Sequence, residues 1–204
     1  MLKKFLQNCK NPKGIFGRIA VSVMNNGHSN ISKWGISYLQ LNEDAKVLDI
    51  GCGGGANVER LISMHPKGYI YGLDYSIDSV MVSRKKNTAN LGKHCDIIHG
   101  SVSKLPFEEE LFDGVTAFET VYFWPDIEND FAEVYRVLKP GGTFLICNEL
   151  NDPNDTTWPD RVDGMHIYNS DQLETLLDGA GFAIEKILKH NSRQWLCVLA
   201  KKNN

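Results

Sequence analysis

The sequence predicts an α/β fold in which a mostly parallel sheet is doubly wound, with helices on both of its faces. From Lys46 onward, short apolar segments alternate with segments of helical periodicity, which is typical of parallel strands joined by crossover helices. Continuous apolar runs such as 143–147 suit strands that are buried on both faces. Only residues 190–193 separate the last two strand candidates, so those two strands are expected to form an antiparallel hairpin.

Each element of this fold has its own sequence signal. The strand candidates are residues 46–50, 69–73, 95–99, 112–118, 142–148, 182–189 and 194–200. Apolar residues at helical spacing from Ile127 to Leu138 predict a helix, which the Lys-Pro-Gly-Gly segment at 139–142 ends. A similar pattern predicts another helix from Leu173 to Ala180. The expected sheet is therefore seven-stranded, with an antiparallel last strand.

Residues 1–43 differ from the rest and are predicted to form an N-terminal helical cap of the same domain. Apolar residues at helical spacing predict one helix over roughly 14–25. A second helix, capped by Ser29 or Asn30, is predicted to carry the apolar face Ile31, Trp34, Tyr38 and Leu41.

The composition is that of an ordinary globular chain. Its 204 residues, 42% apolar and 23% charged, suit one domain with a sizeable core. The net charge of −3 lacks the basic footprint of a nucleic-acid-binding protein, and no apolar run approaches the ~20 residues of a membrane span. The five cysteines are scattered, which favours reduced thiols and a cytoplasmic location over disulfides or structural zinc.

Residues 47–55, Val-Leu-Asp-Ile-Gly-Cys-Gly-Gly-Gly, are the most informative stretch. An apolar run that ends in an acid opens into a loop made almost entirely of glycine. Because glycine lacks Cβ, a ligand can lie against such a backbone. Asp74 follows about twenty residues later, at the end of the next strand candidate, where a ribose diol needs an acceptor. The pattern predicts a nucleoside-containing cofactor.

The glycine loop alone does not choose between cofactors. Residues 51–56 have Gly-x-Gly with alanine in place of the third glycine, which also fits a dinucleotide fingerprint. Asp49, just before the loop, would repel a pyrophosphate but can accept from bound water or a ligand ammonium. Two further features help to distinguish the kinds of cofactor: the C-terminal hairpin, and the occurrence of both the 105–113 and the 138–142 segments.

Together these features closely resemble the class I S-adenosylmethionine-dependent methyltransferases over roughly residues 44–200. The matching segments are VLDIGCGGG at 47–55, YGLDYS at 71–76, GSVSKLPFEEELFDGV at 100–115, RVLKPGG at 136–142 and AGF at 180–182. The resemblance implies a Rossmann-like domain over 44–204. It is closest to the small-molecule branch, similar to ubiquinone- and menaquinone-type enzymes. It implies S-adenosylmethionine as donor, S-adenosylhomocysteine as product and a small-molecule acceptor, with a monomer or homodimer expected.

The resemblance also implies a set of cofactor-binding residues. These are Asp49, Gly51, Gly53, Asp74, Tyr75, Ser101, Val102, Phe118 and Glu119. Asp74 accepts from the ribose hydroxyls, Tyr75 packs against adenine, and Glu119 lies beside the donor methyl. Ser101 departs from the family pattern, which usually has Asp, and its hydroxyl accepts without charge. Two alternatives stay open: an NAD(P)-dependent oxidoreductase, and a non-catalytic S-adenosylmethionine-binding module.

Methyl transfer from a sulfonium is a direct displacement, so positioning supplies much of the rate. An acceptor of high pKa also needs a base. The candidates, from segments near the carboxyl ends of the strands, are His28, Glu119, Tyr122 and His166. The leader and the irregular 148–168 segment are predicted to close over this edge as an aromatic acceptor pocket. No metal ligands are expected, because the sequence shows no acid cluster typical of a magnesium site.

Overall fold

The computed structural model describes residues 28–203. In chain order its elements are α1 (Ser29–Ile36), β1 (Lys46–Ile50), α2 (Ala56–Met64), β2 (Tyr69–Asp74), α3 (Ile77–Lys86), β3 (Cys95–His99), β4 (Phe112–Phe118), a 3₁₀ turn (Val121–Phe123), α4 (Ile127–Val137), β5 (Leu138–Asn148), α5 (Ser170–Gly179), β6 (Phe182–Lys189) and β7 (Leu196–Lys202). The helix predicted over 14–25 lies outside the described residues.

The strands form one seven-stranded sheet in the order β3-β2-β1-β4-β5-β7-β6. Strands β1 to β5 pair in parallel, whereas β7 runs antiparallel to both β5 and β6. The predicted doubly wound sheet with an antiparallel last strand is confirmed. The strand order reverses between β1 and β4, and in open α/β sheets ligands bind at the carboxyl ends of the strands beside such a reversal.

Both faces of the sheet are buried by helices. On one face, α4 and α5 contribute Phe131 and Leu173, which pack with Phe144 of β5 in one apolar cluster. On the other face, Ile31 of α1 and Leu61 of α2 belong to a second cluster. Within residues 28–203, every helix is too short or too polar to cross a membrane.

The first helix is shorter than its apolar pattern predicts. It ends at Ile36, and His28 rather than Ser29 or Asn30 stands at its N-cap position. The Ser29 hydroxyl instead accepts a hydrogen bond from Arg60 Nη2 at 2.7 Å, which ties α1 to α2. Gly35 allows close packing on β5, because a Cβ there would lie 2.7 Å from Cys147 Sγ.

The bounds of three strands also differ from the sequence prediction: β2 extends one residue further, to Asp74, and β5 and β7 differ more. Strand β5 begins at Leu138, which pairs with Phe112 across a register shift, so the strand includes the segment that ends α4. Strand β7 begins at Leu196, and the connection after β6 is closed by a bond from His190 N to Trp195 O. Backbone pairing lengthens β5 at its start and shifts β7 two residues along the chain, and side-chain pattern alone gives no signal for either change.

Candidate active site

A cavity of about 340 Å³ opens at the carboxyl ends of β1, β2 and β4, beside the reversal of strand order. Its volume is within the range of small-molecule sites. The predicted site residues that line it are His28, Gly51, Gly53, Asp74, Tyr75, Ser101, Val102, Phe118 and Glu119. The described residues that line the cavity do not include Asp49, Tyr122 or His166, which were also predicted for the site. The structure therefore brings most of the predicted set together.

The glycine loop is shaped to expose its backbone. Gly51, Gly53 and Gly55 have φ of 72°, 51° and 77°, a left-handed conformation that strains other residues. Gly51 N donates to Leu73 O at 2.7 Å, which fixes the loop to the end of β2. A Cβ on Gly51 would lie 2.3 Å from Thr120 Cγ2, so no side chain fits between the loop and Thr120.

The Asp74 carboxylate is held at the cavity by two backbone amides. Its Oδ2 accepts from Gly53 N and its Oδ1 from Ser76 N, each at 2.8 Å. Burial raises the pKa of Asp74, and the two N–H groups oppose that rise. Each oxygen can accept one further hydrogen bond. Because Ser76 itself caps α3, Asp74 is not needed as the cap of that helix.

Asp49 lies behind the cavity rather than in its lining. It is buried, and its Oδ1 accepts from the Thr116 hydroxyl at 2.8 Å. The other oxygen, Oδ2, has no hydrogen-bond partner among the described residues. Burial, against the Thr116 bond, raises the pKa of Asp49 to about 7. The predicted action of Asp49 through the loop backbone stays a prediction.

We expect the stability of the chain to depend on pH through Asp49. An unfolded Asp releases its proton near pH 4 and the folded one near 7, so the folded state holds more protons between these values. The unfolding free energy should therefore fall as pH rises, by about 1–2 kcal/mol from pH 5 to 6.5. Urea unfolding of the wild type and of Asp49→Asn measures this. A wild-type-minus-variant difference that stays constant with pH would contradict it.

The other side of the cavity carries a cluster of His28, Glu119 and Glu149, here named the His–Glu–Glu cluster. One ligand-type atom from each residue lies within 4.8 Å of the other two. Glu119 Oε1 accepts a short bond from Glu149 N, and His28 Nε2 lies 4.0 Å from Glu149 Oε2. Burial, and then the charge of Glu149, raises the pKa of Glu119 well above its usual range. Burial lowers the pKa of His28, although Glu149 opposes this.

The structure does not bring Tyr122 and His166 to the cavity. The Tyr122 hydroxyl donates to Leu150 O at 3.2 Å and accepts from Leu150 N at 2.8 Å, so it anchors the chain after β5. Burial raises the pKa of Tyr122 well above its usual range. The His166 side chain is exposed, and its backbone N donates to Tyr122 O. Neither position suits a base.

The aromatic pocket predicted from the leader and the 148–168 segment is only partly present. Phe123 and Trp124 line the cavity, with Ser32 from α1. Trp34 packs instead against Trp195, and Trp158 is 38% exposed. Among the described lining residues, none comes from the 148–168 segment, which instead packs on Tyr122 in a small apolar cluster.

Sequence reasoning missed two charged residues of this site. Arg60 lines the cavity and donates from Nη1 to Asn57 Oδ1 at 2.7 Å. The available signal was spacing, since Asn57 and Arg60 lie three apart on the helix that follows the glycine loop. Glu149 was missed although it directly follows β5, at the same sheet edge as Glu119.

The fold and the site define a Rossmann-like α/β protein with a nucleoside-type pocket at its strand reversal. Residues 48–146 match the family model described as "Methyltransferase domain". This match, which covers just under half of the chain, is to a methyltransferase domain. This confirms the predicted class and favours it over the nicotinamide-dependent oxidoreductase.

Individual relatives support the same class. The chain is 30% identical over 156 residues to 24-methylenesterol C-methyltransferase 3 of Arabidopsis thaliana, covering 73% of this chain and 42% of that protein. It is 33% identical over 132 residues to demethylmenaquinone methyltransferase of Listeria monocytogenes, covering 64% and 55%. The chain thus spans about half the length of these curated relatives.

A solved structure shows the same fold. A SAM-dependent methyltransferase from Aquifex aeolicus superposes with a TM-score of 0.76 at 18% identity, over 90% of this chain and 97% of that one.

Proposed function

We propose that this chain uses S-adenosylmethionine to methylate a small-molecule acceptor and releases S-adenosylhomocysteine. The observation that carries the proposal is the Asp74 carboxylate, held by Gly53 N and Ser76 N at the wall of the cavity. A buried, preorganised carboxylate at the end of the second strand suits a ribose diol. The methyltransferase names of the relatives support the same donor.

The remaining lining residues suit the other parts of this donor. Tyr75, Ser101 and Val102 line the cavity together with Asp74, and we assign them to the adenine ring. The exposed backbone of the glycine loop can approach the methionine part closely. Arg60 supplies a cation on the same wall for the methionine carboxylate.

The reaction we propose is an in-line displacement. The acceptor atom forms a bond to the methyl carbon while the carbon–sulfur bond breaks and its electrons stay on sulfur. The chain contributes by holding acceptor, methyl and sulfur in line. Glu119 and His28 are the base candidates that face the cavity. The lowered pKa of His28 keeps its imidazole neutral and able to accept a proton at neutral pH, whereas the raised pKa of Glu119 favours its protonated form.

The acceptor is proposed to be small and partly apolar. Phe123 and Trp124 give the cavity an aromatic wall, and the net charge of −3 does not favour a nucleic acid. A cytoplasmic location is proposed on the scattered cysteines, of which Cys52, Cys95, Cys147 and Cys197 are free and buried. Monomer or homodimer stays a prediction.

An acceptor screen tests this function. The purified chain is incubated with S-adenosylmethionine and with thiols, phenols, amines or carbon acids, and the release of S-adenosylhomocysteine is measured. We expect release above the acceptor-free rate with at least one class, and its loss in Asp74→Ala. Binding of S-adenosylhomocysteine without turnover on any acceptor would instead favour the non-catalytic binding module.

A further inference from the structure

The His–Glu–Glu cluster places two carboxylates together with little positive charge to balance them. Within residues 28–203, Glu149 forms an ion pair with His28 and with no other residue. Glu119 has no ion pair with a lysine or arginine among these residues. Two partly buried carboxylates in contact repel each other unless a proton or a cation lies between them. The cluster therefore takes up positive charge, either as a proton on Glu119, whose pKa is raised, or as a bound cation.

The composition of the cluster is that of a metal-ligand set rather than of a simple acidic patch. It offers one imidazole nitrogen and two carboxylates, drawn from three segments far apart in sequence. Imidazole suits zinc, iron, copper and nickel, and carboxylates suit manganese and magnesium, so the mixed set favours a divalent transition ion. All three side chains are only partly buried, and His28 and Glu119 also line the cavity. An ion held there would keep coordination positions open toward a ligand.

The spacing of the three ligand-type atoms is close to what coordination needs. They lie within 4.8 Å of one another. Ligands bound at about 2.1 Å to one ion are at most about 4.2 Å apart. Opposite ligands reach that limit and ligands at a right angle lie about 3.0 Å apart, so the widest separation has to close by about 0.6–1.8 Å. Rotation about the side-chain bonds of Glu149 and His28, which are about one-third exposed, can supply this movement.

We propose that the His–Glu–Glu cluster is a divalent-metal site that binds a first-row transition ion such as Mn²⁺ and presents it to the cavity. On the proposed function, the ion binds an oxygen of the acceptor, such as a hydroxyl, carboxylate or phosphate oxygen, beside the atom that is methylated. The site thus selects oxygen-bearing acceptors over purely hydrocarbon ones. This revises the sequence-based expectation that the chain has no metal ligands.

Titration with MnCl₂ tests the site without any knowledge of the acceptor. The full chain is first freed of metal by a chelator, and bound Mn²⁺ is followed by electron paramagnetic resonance and calorimetry. Manganese is chosen because it prefers oxygen and nitrogen ligands, so the cysteines do not compete. We expect one Mn²⁺ per chain. Glu119→Gln, Glu149→Gln and His28→Gln should each weaken binding at least about tenfold.

Matched controls separate this inference from folding and from the proposed function. Glu108→Gln removes an exposed glutamate that is not part of the cluster and should leave Mn²⁺ affinity unchanged. Far-ultraviolet circular dichroism verifies that each variant is folded. A chain that binds S-adenosylhomocysteine but no Mn²⁺, or equal Mn²⁺ binding by the wild type and all three site variants, would overturn the metal site. A chain that binds Mn²⁺ but no S-adenosylhomocysteine would overturn the proposed function alone.

Discussion

Replacing Asp74 with alanine is expected to weaken S-adenosylhomocysteine binding by about 1–3 kcal/mol, roughly 5- to 150-fold. The carboxylate can accept two hydrogen bonds from the ribose diol, and bonds to a charged acceptor are the stronger kind. The substitution also frees Gly53 N and Ser76 N, which now donate to Asp74. Part of the loss therefore comes from a less ordered glycine loop.

Calorimetric titration of the wild type and variants with S-adenosylhomocysteine measures this effect. Asp74→Asn keeps the shape and one acceptor oxygen, so its loss should be smaller than that of Asp74→Ala. Asp96→Ala removes a carboxylate from the neighbouring strand β3, where Asp96 accepts from the Tyr69 hydroxyl outside the cavity lining. Its affinity should match the wild type. Equal affinities for the wild type and Asp74→Ala would show that the ribose assignment is wrong.

Gly51→Ala is expected to lower the unfolding free energy by about 2–5 kcal/mol and to weaken cofactor binding at least about tenfold. Two costs add. A residue with Cβ pays about 1–2 kcal/mol in the left-handed conformation that Gly51 adopts, with φ of 72°. The new Cβ would also lie 2.3 Å from Thr120 Cγ2, so the chain after β4 must move. Because Thr120 also lines the cavity, this movement reaches the ligand.

Gly92→Ala is the matched control for this prediction. Gly92 has φ of 70°, but a Cβ there would meet no atom within 4 Å. This substitution adds only the strain of the left-handed backbone, so we expect the unfolding free energy to fall by about 1–2 kcal/mol and the cofactor affinity to stay unchanged. Urea unfolding and calorimetry on both variants separate the effect of backbone strain from the effect of the close contact with Thr120. Equal effects of the two substitutions would contradict the role given to the contact with Thr120.

Most of the fold is predictable because its signals are local. Residues 144–147 of strand β5 are a continuous apolar run, and α4 shows apolar residues at regular helical spacing before a Pro-Gly stop. The short connection after β6 fixes the antiparallel direction of β7. The boundaries of α1 and β5 are less predictable. They depend on contacts between distant segments, such as Arg60 with Ser29 and Leu138 with Phe112.

The donor side of the site is predictable for the same reason. The glycine loop and Asp74 belong to consecutive strands, and the distance between them in sequence follows from one strand–helix–strand unit. The residues on the acceptor side are far apart in sequence, so no local pattern predicts that they meet. His28, Glu119 and Glu149 meet only because α1 packs over the carboxyl ends of β4 and β5. Tyr122 and His166 carry suitable chemistry, but packing after β5 directs them away from the cavity.

We infer that the cavity binds S-adenosylmethionine rather than a dinucleotide. Equilibrium titration of the wild-type chain with S-adenosylhomocysteine and, separately, with NADH tests it most directly. Arg60 on the cavity wall suits the amino-acid carboxylate of S-adenosylmethionine. We predict saturable binding of S-adenosylhomocysteine and no saturable binding of NADH. Tight NADH binding with no binding of S-adenosylhomocysteine would contradict the account.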